Sequence, residues 1–86
     1  MSRYIRLKMQ VNKERFLNCA QRLGYSTIEN RVTGNGLYRP IEVHDNGYLS
    51  YDDMNVKQVA EIMGEYVADT YGGRVEKVND EIFVYV

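Results

Sequence analysis

The sequence is poor in the residues that most often carry chemistry or cross-links. Its 86 residues include one cysteine, one histidine, one proline and no tryptophan. The lone Cys19 cannot form a disulfide within the chain, so we expect a reducing, cytoplasmic setting. No uncharged apolar run approaches the roughly 18 residues of a membrane span, and the charged N-terminus lacks the apolar stretch of a secretory signal. We therefore expect no association with a membrane.

An excess of charge of one sign is also missing overall. Eleven Lys and Arg face twelve Asp and Glu, so the net charge is -1. The two signs are unevenly placed, because residues 1–43 have a balance of +5 and residues 44–86 have a balance of -6. Either the two halves pack together and neutralise each other, or the fold has a basic face and an acidic face. The second arrangement would favour a charged partner or head-to-tail self-association.

The first half of the chain predicts a strand, a helix and a second strand. Apolar residues alternate over 4–11, which is typical of a strand with one buried face. Asn12 is suited to capping a helix that carries Phe16, Ala20 and Leu23 on one face and ends at Gly24. Residues 25–32 predict one further strand, and residues 37–40, which end in the only proline, predict a loop or the start of an edge strand.

The second half predicts a hairpin, a long helix and two final strands. Asn46-Gly47 lies between alternating segments at 41–44 and 48–51, a strong hairpin signal. Asp52, Asp53 and Asn55 can each cap the next helix, which has apolar residues at helical spacing from Val56 to Tyr71 and stops at Gly72-Gly73. Gly64 inside this helix predicts close approach of a neighbouring backbone. Residues 74–78 and 81–86 predict two strands joined by Asn79-Asp80.

These elements predict one α+β domain over residues 1–86 with the order β-α-β-β-β-α-β-β. The order resembles a ferredoxin-like split β-α-β arrangement, in which a mostly antiparallel sheet packs one face on two helices. The opposite face of the sheet is then free to meet another molecule.

Candidate catalytic and metal-binding groups are few. Cys19 and His44 could in principle form a catalytic nucleophile and base. The position of Cys19 within an amphipathic helix argues against this role, because a buried, unreactive thiol is the ordinary outcome there. His44, Asp45, Asp52 and Asp53 form the one acidic cluster worth testing as a metal site, but Tyr48, Leu49 and Tyr51 stand where calcium ligands would be needed. Turn and helix-cap roles explain these residues better. We expect no cofactor, no metal and no enzymatic activity.

Tyrosine is the one abundant residue type that points to a function. Eight tyrosines stand against two phenylalanines. Tyrosine combines a large ring with a hydroxyl and is enriched in binding interfaces. Core packing can explain about half of the eight, and the remainder, with nearby arginines, predicts a partner-binding surface. The residues assigned to that surface are Tyr4, Arg6, Tyr38, Arg39, Tyr48 and Tyr85.

A second interpretation of the same residues is binding of single-stranded nucleic acid. Bases would stack on the tyrosines while Arg3, Arg6, Lys8 and Arg39 contact phosphates. The glycine and aromatic pattern of RNA-recognition sheets is missing from the first and last strands, and the net charge is slightly negative.

Two tripeptides resemble those of a known family. Leu23-Gly24-Tyr25 follows the first predicted helix, and Asn46-Gly47-Tyr48 opens a strand. Over at most the first 52 residues the chain is similar to a family of uncharacterised small proteins encoded in chloroplast, cyanobacterial and some phage genomes. The resemblance implies a fold and no mechanism, and this chain lacks the later tryptophan of such proteins.

The sequence therefore predicts a small non-catalytic interaction module that regulates or inhibits a protein partner. Small phage-encoded inhibitors of host defence offer an analogy at the level of size and fold. Nucleic-acid binding is the alternative, followed by a small enzyme that uses His44 or a metal. Exposed strand edges also suggest a symmetric dimer, which charged edge residues such as Arg31 and Glu76 would oppose.

Overall fold

The chain folds into two helices, a five-stranded antiparallel sheet and a separate two-stranded hairpin. The computed structural model describes residues 4–86. In chain order the elements are β1 Tyr4–Arg6, α1 Lys13–Arg22, β2 Ser26–Ile28, β3 Arg31–Thr33, β4 Ile41–Val43, β5 Leu49–Asp52, a 3₁₀ turn Asp53–Asn55, α2 Val56–Tyr71, β6 Arg74–Val78 and β7 Glu81–Tyr85. The predicted α+β class, with an antiparallel sheet and two helices, is confirmed.

The large sheet has the strand order β1-β5-β4-β3-β2, and every neighbouring pair is antiparallel. It follows that β1 and β2, which α1 connects, run parallel with three strands between them, as in a split β-α-β unit. The second half departs from the ferredoxin-like order, because β6 and β7 pair with each other and not with the large sheet. Their inward residues Val75, Ile82 and Val84 pack against the core instead.

The prediction of one strand over residues 25–32 is wrong. The segment is a hairpin, in which Thr27 of β2 pairs with Val32 of β3 and Glu29-Asn30 form the turn. Glu29 takes a left-handed φ of 56°, a conformation that usually selects glycine, asparagine or aspartate. Because glutamate gives no turn signal at this position, the sequence pattern concealed the reversal. Four strands therefore lie between the helices, where three were predicted.

The first strand is shorter than the predicted 4–11, although its pairing with β5 continues past Arg6. The Leu7 amide donates to the Leu49 carbonyl at 3.0 Å, and the Val11 amide donates to the Gly47 carbonyl at 2.7 Å. Between these two hydrogen bonds the first segment advances four residues, from Leu7 to Val11, while the β5 side advances two, from Leu49 back to Gly47. The extra residues of the first segment form a bulge. Gly47 has a φ of +91°, and a Cβ there would lie 2.5 Å from the Val11 carbonyl oxygen. The Asn-Gly hairpin is confirmed, and its turn residue Gly47 contacts Val11 at the end of the bulge.

Both helices begin and end close to the predicted positions. The Asn12 side chain accepts a hydrogen bond from the Arg15 amide at 3.0 Å, as a cap does. Gly24 and Gly72 adopt left-handed φ values of +94° and +73° at the helix ends. The prediction for Gly64 is wrong, since a Cβ there would meet no atom within 4 Å.

The core lies between the inner face of the large sheet, the two helices and the hairpin. Its largest fully buried side chains are Tyr51, Tyr66, Phe16, Ile41, Leu49, Ile62, Met63, Val32, Val43, Val59 and Val67. The hydroxyl of Tyr66 accepts a hydrogen bond from the Asn12 amide at 2.8 Å, which joins α2 to the start of α1. Neither helix within residues 4–86 has the length and apolar character needed to span a membrane.

Candidate functional site

The face of the five-stranded sheet that points away from the helices carries a set of polar and aromatic side chains. The register places Arg6 beside Ser50, Ser50 beside Glu42, and Glu42 beside Arg31. Most of these side chains are exposed or half-buried, and within residues 4–86 no helix or strand packs over them. We call this surface the open face and define it by Tyr4, Arg6, Arg31, Glu42, His44, Tyr48 and Ser50.

A stacked cation and ring occupy the β1 side of the open face. The guanidinium carbon of Arg6 lies 3.8 Å from the centre of the Tyr48 ring. Such a contact holds two long side chains in one geometry through attraction between the cation and the ring electrons. Alternation along β5 explains the arrangement, because Tyr48 points outward while Leu49 and Tyr51 point into the core. The pair therefore offers a flat, preformed patch.

A second contact links Tyr4 to the centre of the sheet. The Tyr4 hydroxyl donates to Glu42 Oε2 at 3.4 Å, across the intervening strand β5. Partial burial raises the pKa of the Tyr4 hydroxyl, and the nearby Glu42 carboxylate raises it further. Both influences keep the proton on Tyr4, which can thus act as a donor. Tyr4 as a residue is 51% exposed and remains available for contact.

His44 and Ser50 also meet on the open face. His44 Nε2 lies 2.8 Å from Ser50 Oγ, a distance compatible with a base and a nucleophile. No side chain within residues 4–86 forms a hydrogen bond that would orient the other ring nitrogen of His44. Cys19 is buried in the core on the helix side of the sheet, so the Cys19/His44 pair weighed from the sequence is not formed.

The loop that carries Tyr38 and Arg39 is fastened to the start of α2 by a buried amide. Asn55 Oδ1 accepts from the Tyr38 amide at 2.8 Å, and Asn55 Nδ2 donates to the Arg39 carbonyl at 2.6 Å. Asn55 occupies the predicted N-cap position of α2, but its side chain makes no capping bond. The Asp52 side chain accepts from the Met54 amide at 3.0 Å, so it caps the 3₁₀ turn that precedes α2.

Arg39 extends the open face at the Tyr4 end. Its Nε lies 3.5 Å from Asp52 Oδ2, and Asp52 is the register partner of Tyr4. The Arg39 guanidinium carbon is also 5.4 Å from the centre of the Tyr38 ring. Asp52 is 2% exposed, so Arg39 shields a buried carboxylate while Tyr38 stays exposed.

The structure brings five of the six predicted surface residues to one side of the molecule. Tyr4, Arg6 and Tyr48 lie on the open face, and Tyr38 and Arg39 lie at its end. Tyr85 belongs to the separate β6–β7 hairpin, where Arg74 stacks on its ring at 4.4 Å. Lys8 is exposed in the bulge next to β1, and Arg3 lies outside the described residues.

The predicted surface left out four residues of the open face. Arg31, Glu42, His44 and Ser50 complete it, and their placement depends on strand register. The alternation of apolar and polar residues along 41–44 and 48–51 is a signal that places Glu42, His44 and Ser50 on the outward side. The tyrosines divide as follows: Tyr25, Tyr51 and Tyr66 are buried, while Tyr4, Tyr38, Tyr48, Tyr71 and Tyr85 are exposed or half-buried.

Two shallow depressions meet at Glu42 and His44. One of about 280 Å³ is bounded by Tyr4, Arg6 and Ser50, and the other of about 260 Å³ is bounded by the β2–β3 turn, Arg31 and Asp45. Small-molecule sites are usually deeper clefts of about 300 to 1,000 Å³. The open face is thus better suited to a broad contact than to enclosing a small ligand.

The acidic residues considered as a metal site do not converge. Asp45 forms an ion pair with Lys13 at 3.0 Å, and this contact lowers the pKa of the Asp45 carboxyl. Asp52 is turned toward Arg39 and the Met54 amide. Within residues 4–86, no three His, Cys, Asp or Glu side chains are placed to hold a metal ion.

Comparison with known proteins identifies no relative of this chain. Neither the protein-family models nor the curated proteins nor the solved structures contain a match to this chain.

Proposed function

We propose that this chain is a non-catalytic protein-interaction module that binds a protein partner through the open face of its large sheet. The observation that carries the proposal is the ordered Arg6–Tyr48 stack on a sheet face that the rest of residues 4–86 leaves uncovered. Arginine and tyrosine are enriched among residues that dominate binding energies. Because the stack already holds both side chains, less side-chain entropy is lost on binding.

The charges of the open face favour a protein as the partner. Arg6, Glu42 and Arg31 alternate in sign along one row across the strands. A protein surface can present both signs in a complementary pattern. A nucleic-acid backbone is uniformly negative and would meet the Glu42 carboxylate at the centre of the face.

The test compares two arginine–tyrosine stacks that lie on different surfaces. We expect Arg6→Ala/Tyr48→Ala to abolish recovery of the partner in affinity purification from the native organism. The matched variant Arg74→Ala/Tyr85→Ala removes the stack on the β6–β7 hairpin and should leave recovery unchanged. Circular dichroism would verify that both variants are folded. Loss of the partner only with the hairpin variant would refute the open face as the binding surface.

Single-stranded nucleic acid is the second candidate, and the Arg6–Tyr48 stack with the exposed Lys8 nearby favours it. Bases can stack on a tyrosine while arginine and lysine contact phosphates. This candidate requires that affinity for a fluorescent oligonucleotide fall steeply with salt. Absence of binding to single strands at low salt would exclude nucleic-acid binding. The proposal of a protein partner would not be affected by that result.

The proposed consequence of binding is regulation or inhibition of the partner in the cytoplasm. The scarcity of catalytic groups in a chain of 86 residues supports this role. Once the partner is identified, adding the purified protein to an assay of the partner's activity tests this role. We expect the partner's activity to change in proportion to the fraction bound by the wild-type protein, and we expect the Arg6→Ala/Tyr48→Ala variant to leave that activity unchanged.

A further inference from the structure

A groove next to the open face, with which it shares Arg6, runs between the outer edge of β1 and the β6–β7 hairpin. Its volume is about 400 Å³. Ile5, Leu7 and Met9 form one wall, Ile82 and Val84 form the other, and Tyr51 also borders it. These side chains pack against the core, so the floor of the groove is mainly apolar.

Both walls of the groove are edge strands. Within residues 4–86, β1 pairs only with β5, and β7 pairs only with β6. The Leu7 amide points to β5, and amides alternate in direction along a strand, so the Arg6 amide points into the open edge. Unpaired strand edges readily pair with another chain unless something covers or disrupts them.

The two walls carry opposite charges. Arg6 and Lys8 lie on the β1 wall, and Asp80 and Glu81 lie on the β7 wall. All four are exposed, and none of them takes part in the ion pairs found among residues 4–86. The groove therefore has a basic side and an acidic side that form no ion pairs with the rest of residues 4–86.

We propose that the groove is the contact surface of a symmetric dimer of this chain. A two-fold axis parallel to the groove places the basic β1 wall of each copy opposite the acidic β7 wall of the other. The same contact then occurs twice, as symmetry requires. An axis across the groove would instead oppose walls of the same sign. Charge complementarity thus selects a second copy as the occupant and fixes its orientation.

Charge reversal on each wall tests the dimer by sedimentation equilibrium at low salt. We expect the wild type to be a dimer, and we expect Lys8→Glu or Glu81→Lys to raise the dimer dissociation constant about tenfold or more, since each change affects two contacts. An equimolar mixture of the two variants should form heterodimers, because both of their mutual contacts again join opposite charges. Each change leaves the open-face residues intact, so the result is independent of the proposed partner site.

Two controls keep the result specific. The double variant Lys8→Glu/Glu81→Lys reverses both walls in one chain and should restore the homodimer. Lys57→Glu on the exposed side of α2 changes the net charge by the same amount as Lys8→Glu and should leave the dimer intact. A wild type that stays monomeric up to about 1 mM overturns the proposal and leaves the groove to an extended peptide. A dimer that neither reversal weakens, or failure of the mixture to recover, overturns it as well.

Discussion

Single residues determine how closely backbone segments approach one another. At Gly73 a Cβ would clash with the carbonyl oxygen of Tyr85, where the chain end passes the end of α2. At Gly64 a Cβ would meet no atom within 4 Å, and the residue lies within regular helix. Glycine is thus required by packing at one of these positions and only weakens the helix at the other.

We expect Gly64→Ala to stabilise the protein by about 0.5 to 1 kcal/mol, because alanine loses less backbone entropy in a helix than glycine does. In a chain of this size such a gain raises the melting temperature by several degrees, at about 4 to 8 °C per kcal/mol. Urea unfolding followed by circular dichroism measures the change. Gly73→Ala is the matched control and should destabilise. A lower stability for Gly64→Ala would mean that the helix surface at that point is in contact with something.

At the level of elements, the two short hairpins use the same turn design with different residues. Glu29 begins the β2–β3 turn with a φ of 56°, and Asn79 begins the β6–β7 turn with a φ of 55°. Asparagine tolerates this left-handed conformation better than glutamate, whose longer side chain offers no local compensation. The first turn is consequently more strained than the second.

Exchanging the two residues tests this difference. We expect Glu29→Asn to stabilise the fold and Asn79→Glu to destabilise it, each by about 0.5 to 1 kcal/mol, since left-handed backbone costs an ordinary residue roughly 1 kcal/mol. Denaturant titration of each single variant measures the two effects. Equal signs for both substitutions would show that contacts of the side chains, rather than backbone conformation, determine turn stability.

The same turns explain what the sequence could predict. Asn46-Gly47 predicts its hairpin correctly. The alternation of residues around it places Tyr48 outward and Tyr51 inward, as found. Glu29-Asn30 carries no such signal, so one hairpin was predicted as a single strand. The Arg6–Tyr48 stack depends on the register that pairs Tyr4 with Asp52, and local pattern does not specify register between distant strands. The sequence predicts Tyr85 on the same surface as the other tyrosines because nothing in its pattern shows that β7 leaves the large sheet.

At the scale of the whole molecule, the uneven charge of the sequence is partly matched across the fold. Lys13 pairs with Asp45, Arg22 with Glu65 and Asp69, and Arg39 with Asp52. Each of these pairs joins a basic residue of 1–43 to an acidic residue of 44–86. Exposed pairs contribute little stability individually, and these pairs match three of the eight basic residues of 1–43 with four of the nine acidic residues of 44–86. The groove between β1 and β7 carries four more charged residues, two of each sign.

Cys19 provides a measure of how the whole domain opens. Cys19 is 1% exposed on the buried side of α1, and Arg22 Nη2 lies 3.4 Å from its Sγ. Burial raises the pKa of the Cys19 thiol, and the nearby Arg22 only partly opposes this. Since the folded state favours the protonated thiol, its contribution to stability is present below the unfolded pKa of about 8.5 and is lost as pH rises through the folded value.

We therefore expect Cys19 to react with a thiol reagent about a thousandfold or more slowly than in the unfolded chain at neutral pH, because reaction requires opening of a domain with a stability of several kcal/mol. The labelling rate should increase with urea in parallel with the unfolded fraction. Cys19→Ala should remove the part of the stability loss above about pH 8.5 that belongs to the thiol. Fast labelling in native buffer would instead show that α1 detaches from the core while the sheet remains folded, since Cys19 is covered only when α1 is packed against α2 and the inner face.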